Sequence, residues 1–327
     1  MAGSNSAFWQ ENCNVLAMKQ GMLMVIELAC VPQPALMQRA RVVAAALQLG
    51  IYVGCLRDDS ELPPPLPGRR QHTENLRARV HARSRLALER RLETMRADGL
   101  DAEGSVATTD SVAKTVLQLV REHAPAIVMI ARKSHTGFEQ ATLGGEDFAI
   151  LRECPVPVWV VHPSRHGGDK ILGAVGEPAP RPDGPTLDDR ILDETARLAQ
   201  KLGKEGHAVH AFGDAGLVSL PLEPAAEDPT DDLGTSRKDA RIERLLAFVQ
   251  SHGVAPEHAH IYEGKLDRVL ETEAGPLNAD LIVLGSGCDG RLKRLLSGGT
   301  MEKIIDHADT DVLVLKGERP PAPRPRV

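Results

Sequence analysis

ADLIVLGSGCDGRLKRLLSGGTMEKIIDHADTDVLVL, residues Ala279–Leu315, opens on a short apolar run, Leu281-Ile282-Val283-Leu284, and breaks into glycines at Gly285, Gly287 and Gly290. A basic-apolar patch, Arg291-Leu292-Lys293-Arg294-Leu295-Leu296, leads to a second glycine pair, Gly298-Gly299, and then to Thr300. Met301, Ile304 and Ile305 fall on one face of a helix, and Val312-Leu313-Val314-Leu315 closes with a second apolar run. Strand, glycine loop, helix, strand is the order of a parallel βαβ unit, whose loop lies at the carboxyl ends of the strands. Backbone N–H groups in such a loop, and at the start of the following helix, form a cradle suited to phosphate.

The pattern occurs twice. An offset of 154 residues carries Arg85–Val161 onto Asp239–Leu315 without a gap. Gly99 meets Gly253, Ile127–Ile130 meets Leu281–Leu284, Gly144-Gly145 meets Gly298-Gly299, and Val158–Val161 meets Val312–Leu315. Helix stop, apolar strand, glycine pair and final strand therefore keep register through both copies. Ahead of these blocks, Met22–Glu27 and Ile51–Leu56 read as strands. Between them a helix begins at Pro34, buries Leu36, Ala40, Val43, Ala44 and Leu47, and stops at Gly50. Pro63–Pro65 place Arg57–Arg70 in a surface loop. An Arg-rich helix over 72–98 carries Leu76, Val80, Leu88, Leu92 and Met95 as its core face, followed by a strand at 103–109 and a helix at 111–123. In the second copy, Ile171–Val175, a helix over 187–203, His207–Phe212 and a helix over 236–251 follow, with Leu217–Gly234 as a surface excursion. The expected organisation is an arm at 1–20, a domain at 21–164, a linker at 165–169, a domain at 170–317 and a disordered Pro-rich tail at 318–327.

Composition bounds the function. The 327 residues suffice for two ordinary cores. Asp and Glu number 45 against 39 Lys and Arg, a formal charge of −6, which argues against nucleic acid as a main partner. Cys13, Cys30, Cys55, Cys154 and Cys288 are odd in number and form no C-x-x-C pair, so reduced thiols are expected. No apolar run reaches the ~20 residues that span a bilayer, and no export signal is read, so a cytoplasmic location is expected. His258 and His260 alternate on a predicted strand, but no Cys or carboxylate has matching spacing, so no metal site is expected. Nothing resembles a Ser–His–Asp set, a paired carboxylate site or a P-loop.

These residues resemble the universal stress protein family, in its tandem two-domain E type. Its nucleotide loop reads Gly, two residues, Gly, nine residues, Gly, then Ser or Thr. Without gaps, Gly285 and Gly298 take the outer glycine positions, with Cys288 at the middle one and Gly299 at the hydroxyl position. Sliding the frame to Gly287, Gly290, Gly299 and Thr300 restores the residue types but shortens the spacing by one. In the first half Ala131 and Ser134 replace the leading glycines, Gly144 and Gly145 remain, and Glu146 brings negative charge where phosphate would lie. The family also meets the nucleoside with an acid ending its first strand. Glu27 fills that place in the first half; Gly176 stands there in the second, with Glu177 one residue late.

The resemblance implies two tandem Rossmann-like α/β/α domains, each with a five-stranded, mostly parallel sheet, related by a pseudo-twofold axis. It further implies that Val158–Val161 and Val312–Leu315 pair within the chain, and it leaves a homodimer open. The expected function is a non-enzymatic stress-response protein that binds a small ligand or a protein partner. Two alternatives stay open. One is ATP as a ligand, bound or weakly hydrolysed at the second-half loop; the other is a more apolar ligand at the same sheet end.

Overall fold

The computed structural model describes residues 21–28, 33–58, 70–134, 141–163, 167–177, 184–212, 232–286 and 300–317. The chain divides into two compact units, Met1–Ser164 and Arg165–Val327.

The first unit runs β1 (Met22–Leu28), α1 (Pro34–Leu47), β2 (Gly50–Asp58), α2 (Arg70–Ala97), β3 (Ala102–Thr109), α3 (Val112–His123) and β4 (Ile127–Ala131). Two two-residue strands, β5 (Lys133–Ser134) and β6 (Ala141–Thr142), pair antiparallel before α4 (Gly145–Glu153) and β7 (Val158–Val161). Its sheet has the order β3-β2-β1-β4-β7, and every pairing in it is parallel. The second unit runs β8 (Lys170–Ala174), α5 (Leu187–Leu202), β9 (Glu205–Phe212), α6 (Asp232–Ser251), β10 (Ala259–Glu263), α7 (Leu266–Glu273), β11 (Ala279–Ser286), α8 (Thr300–His307) and β12 (Asp311–Lys316). Its order is β10-β9-β8-β11-β12, again all parallel.

Parallel strands need crossover helices on both faces, so central strands are apolar at consecutive positions. Ile127–Ile130 of β4 and Leu281–Leu284 of β11 are accordingly buried throughout. The helices supply matching apolar faces: Ala113, Val116, Leu117 and Val120 on α3, and Leu187, Ile191, Leu192 and Leu198 on α5. α5 is started by a capping box, in which the Asp189 N–H donates to the Thr186 hydroxyl and the Asp189 carboxylate accepts from the Thr186 N–H. The repeat is visible in backbone strain as well as in sequence. Gly99 (φ 82°) and Gly253 (φ 77°) are left-handed, as are Ala124 (φ 45°) and Asn278 (φ 55°), and both pairs stand at the 154-residue offset.

Several boundaries differ from expectation. α1 is stopped by Gln48 in the left-handed region (φ 57°), while Gly50 already belongs to β2. α2 spans 70–97; Leu88, Leu92 and Met95 are buried, but Leu76 is exposed. α6 begins at Asp232, inside the expected surface excursion. His258 closes a 3-10 turn, Pro256–His258, and only His260 lies in β10. Cys55 and Cys154 are buried as thiols. The arm, the tail and the glycine loop 287–299 lie outside the described residues. Among the described residues no helix is long and apolar enough to cross a membrane.

Candidate functional site

In each unit the chain leaves the first strand in one direction and later returns to its other side. The crevice at the carboxyl ends of β8 and β11 is therefore the topological switch point where open α/β sheets place ligands. A cavity of about 190 Å³ lies there in the second unit. Ala174 and Val175 follow from β8, Leu284 and Gly285 from β11, and Met301 and Ile304 from α8. Ile191 of α5, Ala211 and Leu266 extend the same apolar wall. Asp188 is the one ionisable group among the described lining residues.

Asp188 reaches the cavity from the first turn of α5, and its carboxylate accepts from the Gly176 N–H at 3.1 Å. Burial pushes its pKa above 3.8, with the neighbouring Asp189 adding to the effect. Gly176 itself is held close: a Cβ there would stand 3.2 Å from the Asp188 Oδ2. Glu177, the acid one place late in the sequence, is engaged elsewhere, in a two-pronged ion pair with Arg241 of α6 at 2.9 Å for each contact.

Of the loop residues, Gly285 lies next to the end of β11, against α5. A Cβ at Gly285 would lie 2.5 Å from Leu187 Cδ2, so close helix–sheet packing gives this glycine a role apart from any ligand. Thr300 opens α8. Gly287, Gly290, Gly298 and Gly299, with Cys288, lie outside the described residues.

In the described part of the first-half counterpart, carboxylates of the protein occupy two helix starts. Gly144 is the N-cap of α4, and its N–H donates to Asp147 at 2.9 Å; Gly145 is the first helical residue. Glu146 takes the Ala113 N–H at 2.5 Å and the Ser111 hydroxyl at 3.2 Å, both at the start of α3. Among the described residues, the Gly144 and Ala113 N–H groups thus already hold carboxylates. Ala131 ends β4 and Ser134 sits in the short β5. Glu27 lies in β1 in register with Cys55.

Sequence reasoning missed Asp188 because it sought the second-half acid at the end of the strand, whereas the acid comes from the helix that follows. The Thr186-x-x-Asp189 capping signature marks that helix start and so brings Asp188 to the same end of the sheet.

A doubly wound α/β unit occurring twice, with a described cavity at the switch point of the second, defines a tandem Rossmann-like α/β protein. The chain belongs to the universal stress protein family: that family's sequence model matches residues 29–162 and 182–316. It is similar to universal stress protein E of Escherichia coli K12, at 29% identity over 212 residues, covering 63% of this chain and 65% of that protein, slightly under two thirds of its length. Among solved structures, a functionally unknown protein from Pseudomonas aeruginosa PAO1 superposes with a TM-score of 0.67 at 24% identity, over 93% of this chain and 95% of that one. A universal stress protein from Archaeoglobus fulgidus gives 0.57 at 16% identity, over 90% and 98%. At these identities the structural likeness speaks for the fold alone.

Proposed function

We propose that this chain is a non-enzymatic stress-response protein of the cytoplasm whose second half takes a small, weakly polar ligand at the carboxyl end of its sheet. The observation that carries this reading is the cavity bordered by Ala174, Val175, Ile191, Leu284 and Met301, with Asp188 as its single described ionisable group and no described Lys or Arg. Apolar walls with one or two directional polar groups suit a compact organic molecule. A triphosphate wants cations and unoccupied N–H donors. At about 190 Å³ the described cavity is smaller than the ~300 Å³ at which drug-sized pockets begin, which favours a small ligand.

Mass spectrometry of small molecules released from the purified full chain tests this. A neutral or weakly polar compound, lost on filling the cavity with Ala174→Phe, is the expected result. ATP or ADP in stoichiometric amount would replace this reading with nucleotide binding at the second half. A specific feature keeps that alternative in view: Thr300 and Met301 stand where the first half has Glu146 and Asp147, so the second half brings no carboxylate to those positions. Pairing of Val158–Val161 with Val312–Leu315 remains a proposal resting on their apolar sequences.

A further inference from the structure

A second cluster of chemistry-bearing side chains lies at the amino end of the second unit's sheet, opposite the cavity. Glu205 and His207 alternate on β9 and so share a face. Ala208 pairs with Ala259, which sets His258 beside His207 across the two strands and His260 on the same face. His207 is 3% exposed. Its Nδ1 lies 2.9 Å from His260 Nε2, and its Nε2 lies 3.2 Å from Glu205 Oε2. The His258 ring stacks on His207 with centroids 4.1 Å apart and planes at 17°. One ligand atom from each of Glu205, His207 and His258 falls within 4.8 Å of the others.

We propose that Glu205, His207 and His258 form a site for a first-row divalent cation of the zinc type, with His260 as a positioning residue for His207. Two imidazoles and one carboxylate are a donor set that favours zinc, cobalt or nickel over magnesium or calcium, which prefer oxygen. With bonds of about 2.0–2.1 Å, a tetrahedral ion holds its ligand atoms roughly 3.3 Å apart. The Glu205–His207 edge already has that length at 3.2 Å. His258, half-buried at the end of its 3-10 turn, is the ligand that swings in. Glu205 is exposed, so the fourth position opens to solvent and takes water.

His260 sets the tautomer. Without an ion, an Nε2–H on His260 donates to His207 Nδ1 and an Nε2–H on His207 donates to Glu205. With an ion on His207 Nε2, the His207 proton sits on Nδ1 and donates to His260 Nε2, whose own proton moves to Nδ1. The number of bound protons is unchanged, and the ligand ring is held through its second nitrogen, as metal-bound histidines usually are, here by an imidazole in place of the commoner carboxylate or carbonyl. Lys170 on β8 is the cation that faces the cluster, and its ammonium lies 3.4 Å from the Asp169 carboxylate. Glu273 faces His260 from α7 and adds negative charge. The cluster is not a requirement of the fold. By sheet register His207 and His258 correspond to Tyr52 and Glu103, and the Tyr52 hydroxyl lies 2.7 Å from Ser105, the counterpart of His260, so the first unit builds the same sheet end without the histidines.

The test is titration of the chelator-stripped full chain with Co²⁺ and Zn²⁺. One equivalent of Co²⁺ should bind with the visible bands of a tetrahedral nitrogen–oxygen site, be displaced by Zn²⁺, and be unaffected by millimolar Mg²⁺. Glu205→Gln and His258→Ala should each weaken binding at least tenfold. His260→Ala should weaken it about tenfold and shift the Co²⁺ spectrum. His260→Gln, which keeps an acceptor, should recover most of that loss. Melting of the metal-free variants reports folding. If His258→Ala melts early, Glu205→Gln decides, because it changes only an exposed carboxylate. Absence of stoichiometric binding, a thiolate-to-cobalt charge-transfer band, or unchanged affinity in Glu205→Gln would each overturn the proposal.

Discussion

In the first half, Glu146 and Asp147 sit on the N–H groups of two helix starts. In the second half the residues 154 positions later are Thr300 and Met301, and α7 opens at Lys265 with no side-chain cap. The amino ends of the sheets differ as well. There the second half joins Lys204 to the fully buried Asp280 carboxylate at 3.1 Å. The first half has Leu49 and Ala126 at the matching places, both buried and apolar. The left-handed backbone positions, the strand order and the buried central strands are shared, while the chemistry at the strand ends is not. A repeated fold is held by its backbone geometry and its core. The ends of the sheet carry little of that burden, so their chemistry is free to differ between the copies.

The largest expected effect comes from breaking the buried ion pair. Asp280→Ala takes the carboxylate from the Lys204 ammonium, which keeps the Gly168 carbonyl, and from the Gly167 N–H, and should cost about 3 kcal/mol, read from urea unfolding with hydrogen exchange in β8 and β11. Combining it with Lys204→Leu installs the first half's apolar pair and should recover most of the loss. An equal loss in the double variant would show that the two ends are not interchangeable. Next in size is Gly285→Ala. The added Cβ runs into Leu187 and Ile191, so about 1–3 kcal/mol is expected, whereas Ala131 already carries that methyl group in the first half. Leu187→Ala in the same chain should cancel part of the cost, a non-additivity that a double-mutant cycle measures.

Smaller again is Asp147→Ala, which removes the acceptor from the Gly144 N–H and should cost on the order of 1 kcal/mol, seen as earlier exchange of the α4 amides. The smallest expected effect is a pH slope. Asp188 has a folded pKa raised above 3.8, so the folded state binds its proton more readily than the unfolded chain. Its burial therefore costs nothing below 3.8, and stability falls as pH rises from there through the raised value. Asp188→Asn should flatten that slope and be slightly more stable at neutral pH. A steeper slope in the variant would contradict the burial argument.

Much of this architecture was legible in the residues. Apolar runs such as Ile127–Ile130 and Leu281–Leu284 announce strands covered on both faces, and the 154-residue repeat announces two similar units. The sites were harder to read because they form between elements. Asp188 meets Gly176 across a strand–helix junction. Glu205 fell outside the strand expected at His207–Phe212, so its pairing with His207 beside His258 was invisible from spacing along the chain. Gly285 reads as a phosphate-loop glycine, although its contact with Leu187 gives it a packing reason that no linear motif contains. Gln48 stops a helix in a conformation usually left to glycine, and no local pattern marks it.

Two proposed properties stand together: the carboxyl end of the second half takes a weakly polar ligand, and the first half's counterpart is occupied by its own carboxylates. Calorimetric titration of Mg²⁺–ATP into the full chain tests both together. Binding no tighter than about 1 mM, corresponding to roughly 4 kcal/mol, is the result predicted. Micromolar affinity that is lost on Gly298→Val, or on Gly144→Val, would contradict it and place a nucleotide in the second or the first half respectively.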